Sequence, residues 1–172
     1  MSADVLKTAV LVFAAVVLQS AIVGSIEILG GTPDLLLVTL VAVSLLRGAI
    51  WGAAVGFAAG LLLDIANLGR LGETSLLLTL AGYWIGRYGE TTGRDRSHAP
   101  LLSVAVVTVL YSAGALALHV VLGDPVDAGN VLVRALIPSV LLNLILAFPV
   151  YALVRRVLGR PEWSAQEVRL LG

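Results

Sequence analysis

The chain has 172 residues, of which 59% are hydrophobic and only 13% are charged. Soluble domains carry about 25% charged residues, so the composition excludes an ordinary soluble domain. The formal net charge of zero gives no indication of a nucleic-acid partner, and the absence of cysteine excludes disulfides, thiolate catalysis and cysteine-based metal sites.

Six apolar runs predict an all-α integral membrane protein, a compact bundle of six transmembrane helices in one domain. A spanning helix needs roughly 20 residues, and the second, third and fourth runs are shorter than that. Pro33 and Asp34 are typical of a helix start, whereas Pro138 and Pro149 predict kinks in the last helix. The predicted helices cover residues 5–28, 33–46, 49–65, 75–88, 100–122 and 131–157, and a polar tail covers residues 159–172.

The third predicted helix carries glycines at strict four-residue intervals and ends in a carboxylate. Residues four apart share one helix face, and small residues on that face allow two backbones to approach closely in a bilayer. The pattern predicts a central helix on which the others pack. Whether the glycines face this chain or a helix of another protein is left open. The residues concerned are Gly48, Gly52, Gly56, Gly60 and Asp64, and the fourth helix adds Gly82 and Gly86.

Asp64 and Asn143 are the polar residues of greatest interest within the predicted helices. Asp64 either orders the loop that follows the third helix, contacts a partner, or binds a ligand or ion. Asn143 lies between the two prolines of the last helix, and we expect it to form an interhelical hydrogen bond; Gln19 is interpreted in the same way.

The sequence offers no candidate catalytic, metal-binding or cofactor-binding residue. It contains no GxSxG elbow, no glycine loop followed by Lys-Ser or Lys-Thr, and no HExxH pair. His98 and His119 are far apart, with no carboxylate at ligand spacing. We therefore expect a protein that is not an enzyme.

The basic residues predict the orientation of the bundle. With six crossings, nine of the eleven Lys and Arg residues fall on the side of both termini, and the other side receives only Arg70 and Arg134. The positive-inside rule then predicts that both termini are cytoplasmic. Arg87, Arg94, Arg96, Arg155 and Arg156 are the candidates for contact with anionic lipid headgroups or with a cytoplasmic partner.

Three segments resemble the bacterial rod shape-determining protein MreD family. These are PDLLLV from Pro33, GFAAGLLLDI from Gly56 and GYWIGRY from Gly82, within a likeness covering roughly residues 5–157. The resemblance implies that Phe57, together with the neighbouring glycines and Asp64, serves helix packing or partner contact. It also implies a fold similar to the S components of energy-coupling-factor transporters.

The resemblance further implies a non-enzymatic scaffold of the elongasome in the bacterial inner membrane. Such a scaffold binds MreC, and its further partners would include RodA, a class B penicillin-binding protein and the MreB filament. Its role would be support of side-wall peptidoglycan synthesis and cell shape. The alternative is an S-component-like subunit that captures a vitamin for transport. The AxxxA-type docking signature of those subunits is not evident in the first helix.

Overall fold

A computed structural model describes residues 2–68, 70–91, 98–123 and 128–159. Arg94, Arg96 and the polar tail from residue 160 onward lie outside these ranges. The prediction of an all-helical protein with six helices is confirmed within them. The helices are α1 (Ser2–Ala21), α2 (Leu35–Arg47), α3 (Ala49–Ala66), α4 (Glu73–Thr91), α5 (Ala99–Val121) and α6 (Ala128–Leu158).

The first helix ends earlier than the apolar run predicts. α1 stops at Ala21, and a single 3-10 turn, Val23–Ser25, follows it. Ile28 and Gly31 then exchange two backbone hydrogen bonds, of 2.8 and 3.0 Å, and Gly30 takes a φ of 84°, which favours glycine. The apolar residues after Ala21 therefore belong to a loop that turns the chain back toward α2, and the predicted boundary at residue 28 is wrong.

The central helix is α2, and the prediction that α3 occupies this position is wrong. Every residue from Leu36 to Leu46 is buried, and α2 contacts all five other helices. α3 instead keeps one face open, since Ile50 is 82% exposed and Phe57 is 54% exposed. The physical reason is that α2 is apolar around its whole circumference, as expected for a helix that is covered on all sides.

Within the described residues, four helical segments are long and apolar enough to cross a membrane. They are Ala3–Ser25, Ala49–Ala66, Ala99–Val121 and Ala135–Leu158. With a rise of about 1.5 Å per residue, α2 is about 20 Å long, whereas the hydrocarbon core of a bilayer is about 30 Å thick. α2 therefore meets the other helices along only part of that thickness.

One end of the bundle is basic and is tied together by Arg47. Its guanidinium Nη2 lies 3.3 Å from the Asp4 carboxylate at the start of α1 and donates to the carbonyl of Leu158 at 2.8 Å. At the same end, the backbone N–H of Ala49 donates to the Glu90 carboxylate at 2.8 Å. We call this the basic end. Arg47, Arg155 and Arg156 lie in the last turns of α2 and α6 there, and Arg87 lies four residues before the end of α4.

Candidate functional site: a glycine interface and a buried polar cluster

The glycine stripe of α3 lies against α4 of the same chain. A Cβ atom placed on Gly52 would contact the carbonyl oxygen of Gly82, and one placed on Gly82 would contact the carbonyl oxygen of Gly52. A Cβ on Gly56 would lie 2.6 Å from the carbonyl carbon of Leu78. Because these are backbone atoms, they do not rotate away as a side chain does. Backbone contacts of the same kind occur at Gly60 and Gly86.

The glycine interface is the set Gly52, Gly56, Gly60, Gly82 and Gly86. All five glycines are buried, so this face of α3 is occupied from within the chain and does not remain open to a helix of another protein. Gly48 has a different role. It joins α2 to α3 as a single residue with a φ of 90°, and its N–H donates to Ser44 at 2.8 Å.

Asp64 orders the turn between α3 and α4. Its side chain is only 4% exposed, and its two carboxylate oxygens accept from the backbone N–H groups of Gly72 at 2.8 Å and Thr74 at 3.2 Å. The loop-ordering interpretation is therefore the one that the geometry supports. Thr74 belongs to the first turn of α4, where unpaired N–H groups and the helix dipole both favour a carboxylate.

Replacement of Asp64 by alanine is expected to lower the free energy of unfolding by about 2 kcal/mol, since two hydrogen bonds to a charged group are lost. Asp64→Asn keeps one oxygen as an acceptor and is expected to lose about half as much. Thermal unfolding of the purified protein in detergent measures both effects. Equal stability of the alanine variant and the parent would show that water replaces the carboxylate.

Three polar side chains from three segments meet at the N-terminus of α2. The Asn143 side-chain oxygen accepts from the N–H of Asp34 at 2.7 Å, and the Gln19 side-chain oxygen accepts from the N–H of Leu35 at 2.8 Å. Asp34 itself caps the helix by accepting from Leu37 at 2.8 Å. We call Gln19, Asp34 and Asn143 the polar cluster.

The polar cluster satisfies a helix end that is packed against other helices. Asn143 stands about 22 Å along α6 from Leu158 at the basic end, which agrees with the roughly 20 Å length of α2. N–H groups freed at the start of a helix and buried away from water need partners from the protein. The predicted interhelical bond of Asn143 is confirmed, since its amide also donates to the Thr108 hydroxyl of α5 at 3.1 Å.

The exposed face of α3 is opposite the glycine interface. It carries Ile50, Ala54, Phe57 and Ala58, all of them exposed. Ala54 and Ala58 are each two residues from an interface glycine, and two residues correspond to a rotation of about 200° around a helix. Among the sequence-predicted packing or contact residues, Phe57 is the one that remains accessible on the surface.

The ionisable groups do not form a candidate metal centre. Within the described ranges, no group of three or more His, Asp or Glu side chains is placed to hold an ion. His119 instead pairs with Glu73, with 3.2 Å between the ring nitrogen Nδ1 and the carboxylate oxygen. At the basic end, Arg87 lies 3.4 Å from Glu90.

The sequence interpretation missed two functional features of the polar residues. Arg47 follows the predicted second helix and was not singled out, yet its side chain is 5% exposed and connects three helix ends. Glu90 was not singled out, although it caps the start of α3 through Ala49. A signal for the first was available, because a lone arginine between two apolar runs in a compact bundle needs a partner.

Several apolar helices packed through glycines, with a buried polar cluster between them, define a multi-pass membrane protein. The model for the rod shape-determining protein MreD family matches residues 3–157, and the chain belongs to this family. The family assignment implies a role in determining rod shape. No curated protein and no solved structure matches the chain.

Proposed function

We propose that this protein is a non-enzymatic scaffold of the bacterial cell-elongation machinery and that it binds the transmembrane helix of MreC. Membership of the MreD family supports the role in cell shape. The observation that carries the proposed contact is the exposed face of α3, where Ala54 and Ala58 stand four residues apart with Phe57 beside them. Small residues at this spacing allow a second helix to approach, and an adjacent aromatic ring provides a large contact area.

The rigidity of α3 favours this face over the other exposed surfaces. The glycine interface fixes α3 against α4 through backbone contacts, and Asp64 fixes the turn that follows. A partner helix that binds the opposite face therefore meets a surface that is already ordered. Pre-organisation of this kind reduces the entropy that binding costs.

We place the basic end at the cytoplasmic side of the inner membrane. The support is the excess of Lys and Arg on that side of the bundle, together with Arg155 and Arg156 in the last turn of α6 and Arg87 near the end of α4. These arginines would contact anionic lipid headgroups, at about 1 kcal/mol per residue. Contact with the MreB filament is the less favoured role, and contacts with RodA or a class B penicillin-binding protein would be made through the assembled complex.

The double variant Ala54→Leu/Ala58→Leu is expected to weaken MreC binding at least tenfold, because the added side chains hold a second helix away from α3. Binding of full-length MreC to the protein in nanodiscs gives the dissociation constant. The matched control is Ala113→Leu/Ala117→Leu, which adds the same volume at the same spacing on the exposed face of α5. If only the Ala113→Leu/Ala117→Leu variant bound MreC more weakly, the partner helix would lie against α5 and not against α3.

The alternative function, capture of a vitamin-like ligand, finds no specific support. Its premise is an S-component-like arrangement, and the side-chain oxygens of the polar cluster accept hydrogen bonds from the chain's own backbone. The test is direct. Stabilisation of the purified protein by a small metabolite would favour this function, because a ligand that binds only the folded state raises the melting temperature.

A further inference from the structure

An apolar groove of about 480 Å³ runs between α4 and α5. Its floor is formed by Ile85, Ser103 and Val107, which are 7%, 3% and 2% exposed. Its rim includes Trp84 and Leu110, which are 65% and 63% exposed. The groove therefore opens on the lateral surface of the bundle, where other apolar side chains of the helices are also exposed.

The groove exists because α4 packs through one face only. The glycine face of α4 packs against α3. Because successive residues are rotated by about 100° around a helix, the side chains of Ala81, Trp84 and Tyr88 lie on the side of α4 that faces away from α3. Ile85 of α4 and Val107 of α5 both line the floor, while the large side chains of Trp84 and Leu110 lie along the rim. The result is a groove along the two helices with a buried floor.

The dimensions of the groove fit a single hydrocarbon chain. It extends from Leu102 to Gly114 along α5, which is about 18 Å. A single extended hydrocarbon chain can lie along a groove of this length, whose lining is almost entirely apolar.

Ser103 indicates that the occupant carries a hydrogen-bond acceptor. It is buried on the groove floor, and among the described side chains its hydroxyl is the buried polar atom without a hydrogen-bond partner. The buried hydroxyls of Ser44 and Thr108 each donate to a carbonyl four residues earlier, at 2.7 and 2.8 Å. An unmade hydrogen bond of this kind is costly, and a ligand that supplies an acceptor removes the cost.

We propose that the groove binds one acyl chain of an anionic phospholipid from the leaflet at the basic end. Ser103 lies about 6 Å along α5 from Ala99, close to that end, where its hydroxyl donates to the ester carbonyl of the lipid. The acyl chain runs along the floor toward Gly114. Trp84 and Tyr88 flank the ester region, as amphipathic rings do at a membrane interface, and the exposed Arg87 side chain faces the headgroup.

Fluorescence quenching by brominated lipids tests the proposal. The chain has three tryptophans, so Trp51→Phe/Trp163→Phe leaves Trp84 as the reporter on the groove rim. The full chain is reconstituted into phosphatidylcholine vesicles with increasing amounts of dibrominated phosphatidylglycerol or dibrominated phosphatidylcholine. We expect half-maximal quenching at a mole fraction at least threefold lower for phosphatidylglycerol.

Three variants distinguish lipid bound in the groove from the lipid that surrounds the protein. Ala81→Phe fills the groove and is expected to abolish the headgroup preference, whereas Ala14→Phe, on the exposed face of α1, is expected to preserve it. Ser103→Ala leaves the space open and removes the donor. It is expected to raise the mole fraction needed for half-maximal quenching two- to fivefold at an unchanged melting temperature.

Three results would overturn the proposal. Equal quenching by both lipids would mean that Trp84 sees only surrounding lipid. A headgroup preference that persists in the folded Ala81→Phe variant would place the lipid elsewhere. Shielding of Trp84 from both lipids on addition of purified MreC would assign the groove to a partner helix.

Discussion

Replacement of Gly56 by leucine is expected to force α3 away from α4 and to lower the free energy of unfolding by at least about 3 kcal/mol. A Cβ atom at this position contacts the Leu78 carbonyl group and lies 3.0 Å from the backbone nitrogen of Thr79. Overpacking of a core costs about 1–3 kcal/mol when side chains are free to adjust, and here the obstructing atoms are backbone. Reversible unfolding of the purified protein in mixed micelles measures the loss.

The control for Gly56→Leu is Ala58→Leu, on the same helix. Position 58 lies on the exposed face of α3, so the same side chain enters lipid or detergent instead of a helix interface. We expect its stability to stay within about 0.5 kcal/mol of the parent. An equal loss of stability in both variants would contradict this account. It would mean that leucine destabilises α3 at any position, and that the close approach of α3 and α4 does not stabilise the bundle.

The spacing of the glycines predicted a close helix interface but not its partner. In a soluble protein, a polar face identifies the outer side of a helix, whereas in a membrane the outer side is as apolar as the inner one. The stripe from Gly52 to Gly60 therefore stands out in the sequence, while the identity of the facing helix does not. The pair Gly82 and Gly86 was visible as a second stripe, and the structure shows that the two stripes face each other.

The position of α2 shows where the glycine pattern misled the prediction. Small residues at four-residue intervals favoured the glycine helix as the centre, and the thirteen residues of α2 are too few to span a bilayer. A helix that is enclosed by protein has no need to match the lipid thickness. Its apolar surface from Leu36 to Leu46, interrupted only by Thr39 and Ser44, was the better indicator of a central position.

The polar cluster was predicted residue by residue and not as a unit. Asp34 was expected to begin a helix, and Asn143 was expected to bond between helices, and both expectations are confirmed. Their direct contact spans 109 residues of sequence, and only the folded bundle brings them together. Single polar residues in apolar runs can be identified from the sequence. Which of them contact each other depends on the order in which the helices pack around α2, and the sequence does not give that order.

Replacement of Asn143 by leucine is expected to lower the free energy of unfolding by about 3 kcal/mol. The position is 1% exposed, so leucine, which has a similarly branched but larger side chain, leaves the Asp34 N–H without this partner, while the Thr108 hydroxyl keeps its bond to the Val104 carbonyl. An unpaired buried group costs about 1–3 kcal/mol, and the larger side chain adds an overpacking cost of similar size. Unfolding in mixed micelles measures the loss, and hydrogen exchange is expected to accelerate at least tenfold at the amides of Asp34 and Leu35.

The control is Asn67→Leu, because Asn67 is exposed and caps α3 through its backbone N–H, which donates to Leu63 at 2.9 Å. It is expected to leave both stability and the exchange of the α2 amides unchanged. Asn143→Leu with parental stability would mean that water reaches the start of α2 and replaces the lost amide. The polar cluster would then line a hydrated opening, and the vitamin-capture alternative would gain the polar site that it lacks in the present structure.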